Sequence, residues 1–194
     1  MHTPTREFYN QNADEYTART LAIDPAHERE KFMACLPAGA TVLDVGCGSG
    51  RDLEIFRHAG FDPIGVDGSE EMCTRARMHS GCRVYHNTFE EFTPNRPVDG
   101  VWAMASLVHT ADKDLPALLH RLWSWLKPEG VMYACFKDKN AAGISGADSR
   151  LFNGFSLDEV KHLFGTLEGA EILETWASDG HNTVWQNIIL KKRP

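Results

Sequence analysis

The sequence predicts an α/β protein in which helices cover both faces of a mainly parallel, seven-stranded sheet. From residue 41 onward, short apolar segments alternate with segments of helical periodicity, the order expected when helices connect parallel strands. Near the C-terminus two strand-like segments, 171–176 and 183–190, follow one another directly, which predicts an antiparallel C-terminal strand. The 194 residues are expected to form one domain, with an N-terminal helical cap over 1–38 and the sheet core over 39–194.

The remaining elements are predicted from apolar spacing and from residues that begin helices. Strands are expected at 41–45, 62–66, 82–86, 98–103 and 131–136, and helices at 51–59, 69–79 and 112–126. Ser69 is a predicted N-cap, because its hydroxyl can accept a hydrogen bond from a backbone N–H of the first turn. Ser156 and Glu159 have the spacing of a capping box, which predicts one further helix.

Two helices are predicted ahead of the sheet. The first places Tyr9, Ala13 and Tyr16 at i, i+4 and i+7, on one face of the helix. The second is expected to have Asp24 as its N-cap and Pro25 as its first helical residue, where the missing N–H of proline costs nothing.

Composition and charge narrow the class of protein. The formal net charge of −7 disfavours a broad basic surface, so a nucleic-acid partner is not expected. The five cysteines contain no C-x-x-C pair and fit a reducing compartment. The first residues show no apolar segment of the kind found in leader peptides, and no apolar segment of the sequence reaches membrane-spanning length. We therefore expect a cytoplasmic monomer or homodimer without a metal or a membrane partner.

A glycine-rich turn after the first strand is the most informative segment. Gly46, Gly48 and Gly50 occupy alternate positions, and glycine lets the backbone approach a ligand where a side chain would collide. Asp44 and Asp67 stand at the ends of the first and second strands. Glycines and acids in these positions predict a nucleoside-binding crevice at the carboxyl ends of two parallel strands.

The spacing of the glycines disfavours a dinucleotide. A dinucleotide fingerprint reads G-x-G-x-x-G, and its pyrophosphate lies against the helix N-terminus. Here Arg51 stands at the third glycine position, and the extra glycine comes one residue earlier. The sequence therefore favours a nucleoside ligand without phosphates and argues against an NAD-dependent oxidoreductase.

Four stretches together resemble the class I S-adenosylmethionine (SAM)-dependent methyltransferases, which have a Rossmann-like fold. They are 43–50 (LDVGCGSG), 65–69 (GVDGS), 98–102 (VDGVW) and 126–130 (LKPEG). The N-terminal Tyr9, Ala13 and Tyr16 are similar to a segment that precedes the SAM domain in many small-molecule members of the family. The resemblance covers essentially the whole chain. It implies SAM as the cofactor and S-adenosylhomocysteine (SAH) as its product.

The resemblance also implies which residues bind SAM. The first motif wraps the methionine part, Asp67 binds both ribose hydroxyls through charge-assisted hydrogen bonds, and Met72 lies against the adenine. Thr88 stands near a position that is usually acidic, which leaves the backbone of Phe89 as the expected contact there. The complete predicted set is Tyr9, Tyr16, Asp44, Gly46, Cys47, Gly48, Gly50, Asp67, Gly68, Ser69, Met72, Thr88, Phe89 and Ala103.

The acceptor side is predicted from position and chemistry. His109 follows the fourth strand at the carboxyl edge of the sheet and is the candidate general base. Tyr16 is the second catalytic candidate, because an aromatic face attracts a sulfonium cation. Three further candidates for acceptor binding, beside His109, flank a Gly- and Ala-rich segment, 141–147, that is predicted to be mobile. They are Lys137, Arg150 and Phe152.

The predicted activity is SAM-dependent methyl transfer to an O, N or S nucleophile of a small-molecule acceptor. A general base is needed only where that nucleophile arrives protonated. A tRNA or protein methyltransferase and a non-catalytic SAM-binding regulatory module stay open as alternatives.

Overall fold

Seven strands form one sheet in the computed structural model, which describes residues 3–145, 150–180 and 183–194. They are β1 (Thr41–Val45), β2 (Asp62–Asp67), β3 (Arg83–His86), β4 (Val98–Ala103), β5 (Leu126–Lys137), β8 (Ala170–Gly180) and β9 (Thr183–Lys192). Two short strands, β6 (Gly143–Ile144) and β7 (Leu151–Phe152), pair only with each other. Of the predicted mobile segment, residues 146 and 147 lie outside the described residues.

The strand order is β3-β2-β1-β4-β5-β9-β8. The first five strands of the chain pair in parallel, β9 runs antiparallel to β5, and β8 runs antiparallel to β9. The predicted α/β fold, with a mainly parallel seven-stranded sheet and an antiparallel C-terminal strand, is confirmed. Because β1, β2 and β4 are parallel neighbours, the turns that follow them meet at one edge of the sheet.

Helices pack on both faces of the sheet. They are α1 (Thr3–Gln11), α2 (Ala13–Leu21), α3 (Ala26–Ala34), α4 (Arg51–His58), α5 (Glu70–Ser80), α6 (Leu115–Ser124) and α7 (Leu157–Phe164). Alternate strand residues point to opposite faces. Met132 therefore packs in the core that contains α6 and α7, whereas its neighbour Tyr133 packs with Phe32 of α3 and Phe56 of α4.

The N-terminal segment differs from its prediction in two places. The first expected helix is divided into α1 and α2 at Asn12, whose side-chain amide and backbone N–H both donate to the Phe8 carbonyl oxygen, at 2.8 and 3.0 Å. Tyr9 and Tyr16 nevertheless meet, with ring centroids 4.8 Å apart. Pro25 is the N-cap of α3 rather than its first residue, because the Asp24 carboxylate pairs with Arg29 instead of capping the helix.

The helix predicted at 112–126 is shorter at both ends. Pro116 lies in the first turn of α6, where its missing N–H is tolerated, so the helix begins at Leu115. Leu126 pairs with Val98 and belongs to β5, which therefore begins five residues earlier than predicted. Residues 127–130, which lie between the predicted helix and the predicted strand, form a bulged part of β5, in which Glu129 has a φ of +66°.

The predicted helical cap is divided between two locations. Phe32 of α3 is fully buried and packs against Phe56 and Trp102, so α3 is part of the sheet's own core. Tyr9 and Ala13 belong to a separate small cluster with Met72 of α5. Only α1 and α2 therefore lie over the carboxyl edge of the sheet, on the side of α5.

Gly50 determines how closely α4 approaches α5. It has a φ of +81°, and a Cβ placed on it would lie 2.8 Å from the backbone Cα and O of Ala76. Gly60 has a similar φ of +87°, but a Cβ there would meet nothing within 4 Å. The two glycines share the same backbone requirement, and only Gly50 adds a packing requirement.

We expect Gly50→Ala to cost more stability than Gly60→Ala. Both variants should lose about 1 kcal/mol of folding stability, because a residue with a side chain is held in the left-handed conformation. Gly50→Ala should cost about 1–3 kcal/mol beyond that, because α4 and α5 must move apart. Urea unfolding of both variants measures the difference. Equal losses would contradict the packing role of Gly50.

Candidate functional site

A cleft opens at the carboxyl ends of β1, β2 and β4, with α1 and α2 on one side. Its lining residues are Tyr9, Tyr16, Gly46, Gly48, Asp67, Gly68, Met72, Phe89, Met104, Ala105, Ser106 and His109. Nine of these twelve are predicted site residues, drawn from five separate segments of the chain. The fold thus brings the glycine-rich turn, the second acid, the N-terminal tyrosines and His109 to one place.

Two glycines of the turn line the cleft in different ways. A Cβ on Gly48 would meet only the Met72 Cε atom, at 3.9 Å, so its missing side chain leaves open space. A Cβ on Gly46 would collide with Ser106 Cβ, so Gly46 lets the turns after β1 and β4 approach each other. Gly48 is therefore the glycine whose backbone is open to a ligand.

Asp67 is held at the floor of the cleft by backbone N–H groups. Its Oδ2 accepts from Gly48 at 3.0 Å, and its Oδ1 accepts from Ser69 at 2.9 Å. Burial raises the pKa of the Asp67 carboxyl, and these N–H groups favour the charged form and limit the rise. The carboxylate is oriented before any ligand arrives.

Six predicted cofactor-binding residues do not line the cleft. Gly50 packs on α5, and the Cys47 side chain packs in the cluster between α4 and α5. Ser69 caps α5 by accepting from the Met72 N–H at 3.2 Å. The other three are the buried Asp44, Thr88, whose hydroxyl donates to Glu91 at 3.0 Å, and Ala103, which lies in the core of the sheet.

Asp44 and Asp52 form a buried acidic pair below the turn, and their environments differ. Arg29 donates to Asp52 at 2.9 Å and Arg51 donates to it at 2.7 Å, while the Trp102 indole N–H donates at 3.1 Å. Burial raises the pKa of Asp52, but these cations and donors outweigh it and lower the pKa overall. Burial and the charge of Asp52 raise the pKa of Asp44 well above its ordinary value.

Arg51 links this buried cluster to the N-terminal helices. Its guanidinium also donates to the carbonyl oxygens of Thr20 at 3.4 Å and Ile23 at 3.2 Å. Thr20 donates in addition to the Ser49 hydroxyl in the glycine-rich turn, at 3.2 Å. The end of α2 is thereby fixed to the start of α4, which places Tyr16 beside the turn.

Tyr9 and His109 form a buried hydrogen-bonded pair in the cleft. The Tyr9 hydroxyl lies 2.8 Å from His109 Nε2, and His109 Nδ1 lies 2.7 Å from the Leu151 carbonyl oxygen. A carbonyl oxygen can only accept, so Nδ1 carries a proton and, in the neutral ring, Nε2 accepts from Tyr9. Burial, with a contribution from Tyr16, raises the pKa of Tyr9 well above its ordinary value, so the phenol stays protonated at neutral pH.

The other three predicted acceptor-binding residues form an aromatic and cationic cluster beside this pair. The Phe152 ring contacts His109 at a centroid distance of 4.9 Å. Lys137 Nζ lies 3.5 Å from the Phe152 centroid, and Arg150 Cζ lies 5.0 Å from it. Arg150 also lies over the Phe8 ring, at 4.2 Å. None of the three predicted residues lines the cleft itself.

Sequence reasoning missed Met104, Ala105 and Ser106, which line the cleft after β4. Ala105 has a φ of +52°, and its N–H donates to Cys135 Sγ at 3.1 Å. Ser106 is buried, and among the residues that the structure describes its hydroxyl has no hydrogen-bond partner. The only available signal was their position directly after a strand whose carboxyl end faces the site.

Within 3–145, 150–180 and 183–194, no three His, Cys, Asp or Glu side chains converge as metal ligands would. In the same part of the chain, no helix has the length and apolar character needed to cross a bilayer.

Known proteins resemble the chain in sequence. A family model described as "Methyltransferase domain" matches residues 42–130. A ubiquinone biosynthesis O-methyltransferase of Rhodopseudomonas palustris (strain BisB5) is 33% identical over 139 residues, which are 67% of this chain and 54% of that protein. Phosphoethanolamine N-methyltransferase 3 of Arabidopsis thaliana is 35% identical over 106 residues, 50% of this chain and 21% of that protein. The chain spans about half the length of the O-methyltransferases that it matches.

Solved structures share the fold. The Burkholderia thailandensis 1,6-didemethyltoxoflavin-N1-methyltransferase, with 1,6-didemethyltoxoflavin and SAH bound, has a TM-score of 0.81 and 20% identity. The match covers 98% of this chain and 88% of that chain. The magnesium protoporphyrin IX methyltransferase of Synechocystis PCC 6803, with SAM bound, has a TM-score of 0.74 at 17% identity, over 100% and 98% of the two chains.

The sheet order and the cleft at its carboxyl edge define an α/β protein with a nucleoside-type crevice. The match over residues 42–130 and the similarity to methyltransferase relatives show that the chain carries a methyltransferase domain, and its fold is that of the SAM- and SAH-bound methyltransferases described above.

We expect Asp44→Asn and Asp52→Asn to change the pH dependence of stability in opposite directions. The raised pKa of Asp44 means that its charge destabilises the fold above that pKa, and this cost disappears as the pH falls to the ordinary Asp range. Asp44→Asn should therefore gain stability relative to the native protein as the pH rises. The lowered pKa of Asp52 means that its charge stabilises the fold above the ordinary Asp pKa of about 3.9, and that this stabilisation is lost as the pH falls below that value. Asp52→Asn should therefore lose relative stability as the pH rises through this lower range. Urea unfolding between about pH 2.5 and pH 8, which spans the ranges of both carboxyls, measures both effects. A relative loss for Asp44→Asn on raising the pH would refute the assignment.

Proposed function

We propose that the protein transfers the methyl group of SAM to an O, N or S nucleophile of a small-molecule acceptor. One observation carries the proposal: the Asp67 carboxylate is held by the Gly48 and Ser69 N–H groups at the floor of a cleft that two tyrosine rings border. A preoriented carboxylate beside open glycine backbone suits a ribose diol, and aromatic faces suit a sulfonium. The acidic protein, with a net charge of −7, fits a small acceptor better than a tRNA.

The residues of the cleft fit SAM chemically. The space at Gly48 and the buried, unpartnered Ser106 hydroxyl among the described residues leave room and a hydrogen-bonding group for a polar ligand. Met72 is fully buried beside the cleft and offers an apolar surface to a base. SAM supplies a methyl group on a positively charged sulfur, and its transfer disperses that charge.

The chain's own contribution is to align the acceptor, exclude water and remove a proton. Tyr9 and Tyr16 border the cleft, where they shield the donor from solvent. An acceptor that arrives protonated gives its proton to the Tyr9 oxygen. At the same time the Tyr9 hydroxyl proton moves to His109 Nε2. The high pKa of Tyr9 keeps it from acting as a phenolate, so it needs His109 as the final base.

The domain organisation, the cellular location and the oligomeric state are part of the same proposal. We place the activity in a single domain over 1–194, in which α1 and α2 cover the cofactor, acting in the cytoplasm as a monomer or homodimer. The O-methyltransferase and N-methyltransferase relatives support methyl transfer to oxygen or nitrogen, and they do not distinguish the two.

We expect the purified protein to bind SAM and SAH in calorimetry, and Asp67→Ala to weaken both by about 1.5–3 kcal/mol through loss of charge-assisted hydrogen bonds. Asp62→Ala is the matched control, because Asp62 begins the same strand at its far, exposed end. No binding by the native protein would refute the proposed function. Equal affinities of the Asp67 and Asp62 variants would remove Asp67 from the site. Binding without SAH formation across a metabolite screen would favour a regulatory module.

Ser106→Ala should weaken SAH about 3- to 10-fold, the net value of one hydrogen bond. The free variant should be as stable as the native protein, because the hydroxyl has no partner to lose among the described residues. Ser106 lies against Gly46, in the turn expected to hold the methionine part. Binding of 5′-methylthioadenosine, which lacks the amino-acid group, should therefore not change.

Ser80→Ala is the control for that variant, since its buried hydroxyl donates to the Ala76 carbonyl oxygen at 2.7 Å. It should lose stability and keep its affinity for SAH. Unchanged SAH binding by Ser106→Ala would contradict the role of Ser106.

A further inference from the structure

Residues 151–153, which include β7, pack against the turn that carries His109. They form hydrogen bonds with backbone carbonyl groups of that turn. The turn is a single 3-10 turn, Leu107–His109, after β4. The Asn153 side-chain amide donates to the carbonyl oxygens of Leu107 at 3.1 Å and Thr110 at 2.9 Å. The Asn153 backbone N–H donates to the Val108 carbonyl oxygen at 2.7 Å. One asparagine therefore satisfies three acceptors of the turn.

Leu151, two residues earlier, connects the turn to α1. Its carbonyl oxygen accepts from His109 Nδ1 at 2.7 Å, and its N–H donates to Thr5 Oγ1 at 3.1 Å. Thr5 and Tyr9 lie one turn apart on α1. The backbone of one residue thus touches both elements that supply the Tyr9–His109 pair.

This arrangement has a chemical consequence for His109. The protonated nitrogen of a neutral histidine is set by the hydrogen bond that its other nitrogen makes. A carbonyl oxygen at Nδ1 selects the Nδ1–H form, which leaves the Nε2 lone pair toward Tyr9. The bond depends on the Leu151 carbonyl staying in place, and among the residues that the structure describes the side-chain amide of Asn153 ties its segment to the turn.

We propose that Asn153 is a positioning residue that holds the Leu151 carbonyl against His109 and so fixes His109 in the Nδ1–H tautomer. Asn153 is 3% exposed and does not line the cleft. Its two amide hydrogens reach two carbonyl oxygens on either side of His109, which a shorter or aliphatic side chain cannot do. The catalytic value of this tautomer depends on the proposed function, but the tautomer itself does not.

Asn187 provides a matched control. It is equally buried, at 1% exposed, and its amide donates to the Trp176 and Trp185 carbonyl oxygens at 3.2 and 3.1 Å. It lies on β9, away from the turn. Asn187→Ala removes a comparable set of buried hydrogen bonds without touching the segment behind His109.

The test is nitrogen-15 NMR of the histidine rings in the protein of 194 residues at neutral pH, without ligand. His109→Gln assigns the His109 signals by their disappearance. In the native protein, we expect one protonated-type signal at Nδ1 and one unprotonated-type signal at Nε2. Asn153→Ala should move the two toward averaged values, as the ring samples both tautomers, whereas Asn187→Ala should leave them unchanged. If Asn153→Ala does not fold, Asn153→Ser takes its place.

Three results would overturn the proposal. They are an Nε2–H or averaged His109 in the native protein, unchanged His109 signals in the Asn153 variant, and equal changes in both asparagine variants. The first of these needs no variant, so the proposal stays testable if neither Asn153 variant folds. SAH calorimetry on the same samples separates this outcome from failure of the proposed function, because the native tautomer is read without SAM, SAH or an acceptor.

Discussion

The two hydrogen bonds to the Asp67 carboxylate join the parts of the molecule that make up the site. One comes from Gly48 in the turn after β1 and the other from Ser69 at the start of α5. A buried carboxylate needs such partners, because its charge is otherwise costly away from water. Satisfying Asp67 therefore draws the glycine-rich turn and the N-terminus of α5 together. The cleft lies where these two segments meet the turn after β4.

A second buried carboxylate determines where the N-terminal helices lie. Asp52 accepts from Arg29 of α3, from Arg51 of α4 and from the indole of Trp102 in the sheet. Arg51 reaches onward to the last carbonyl oxygens of α2 and its following turn. A buried charge with all its partners present tolerates little displacement of any of them. The placement of Tyr16 at the cleft thus depends on charge pairing that does not involve its own ring.

Much of this organisation could be predicted from sequence, but only where the determinant is local. The Ser69 cap, the Ser156 capping box and the order of strands and helices are written in neighbouring residues, and the structure confirms them. The break at Asn12 and the extension of β5 back to Leu126 were missed. Pairing with β4, outside the predicted strand, extends β5, and the break at Asn12 coincides with a side-chain bond to Phe8 that helical periodicity does not predict.

The same distinction between local and long-range determinants applies to the site. The sequence by itself determined the family, the sheet and the pairing of a glycine-rich turn with an acid, because parallel strands bring their carboxyl ends to one edge. Only the tertiary structure decided that Gly50 serves helix packing while Gly48 opens on the cleft. It also placed Ser106 beside Gly46 and brought His109 between Tyr9 and Leu151. Those contacts join residues some 40 to 100 positions apart in the chain, and no spacing rule within one segment reports them.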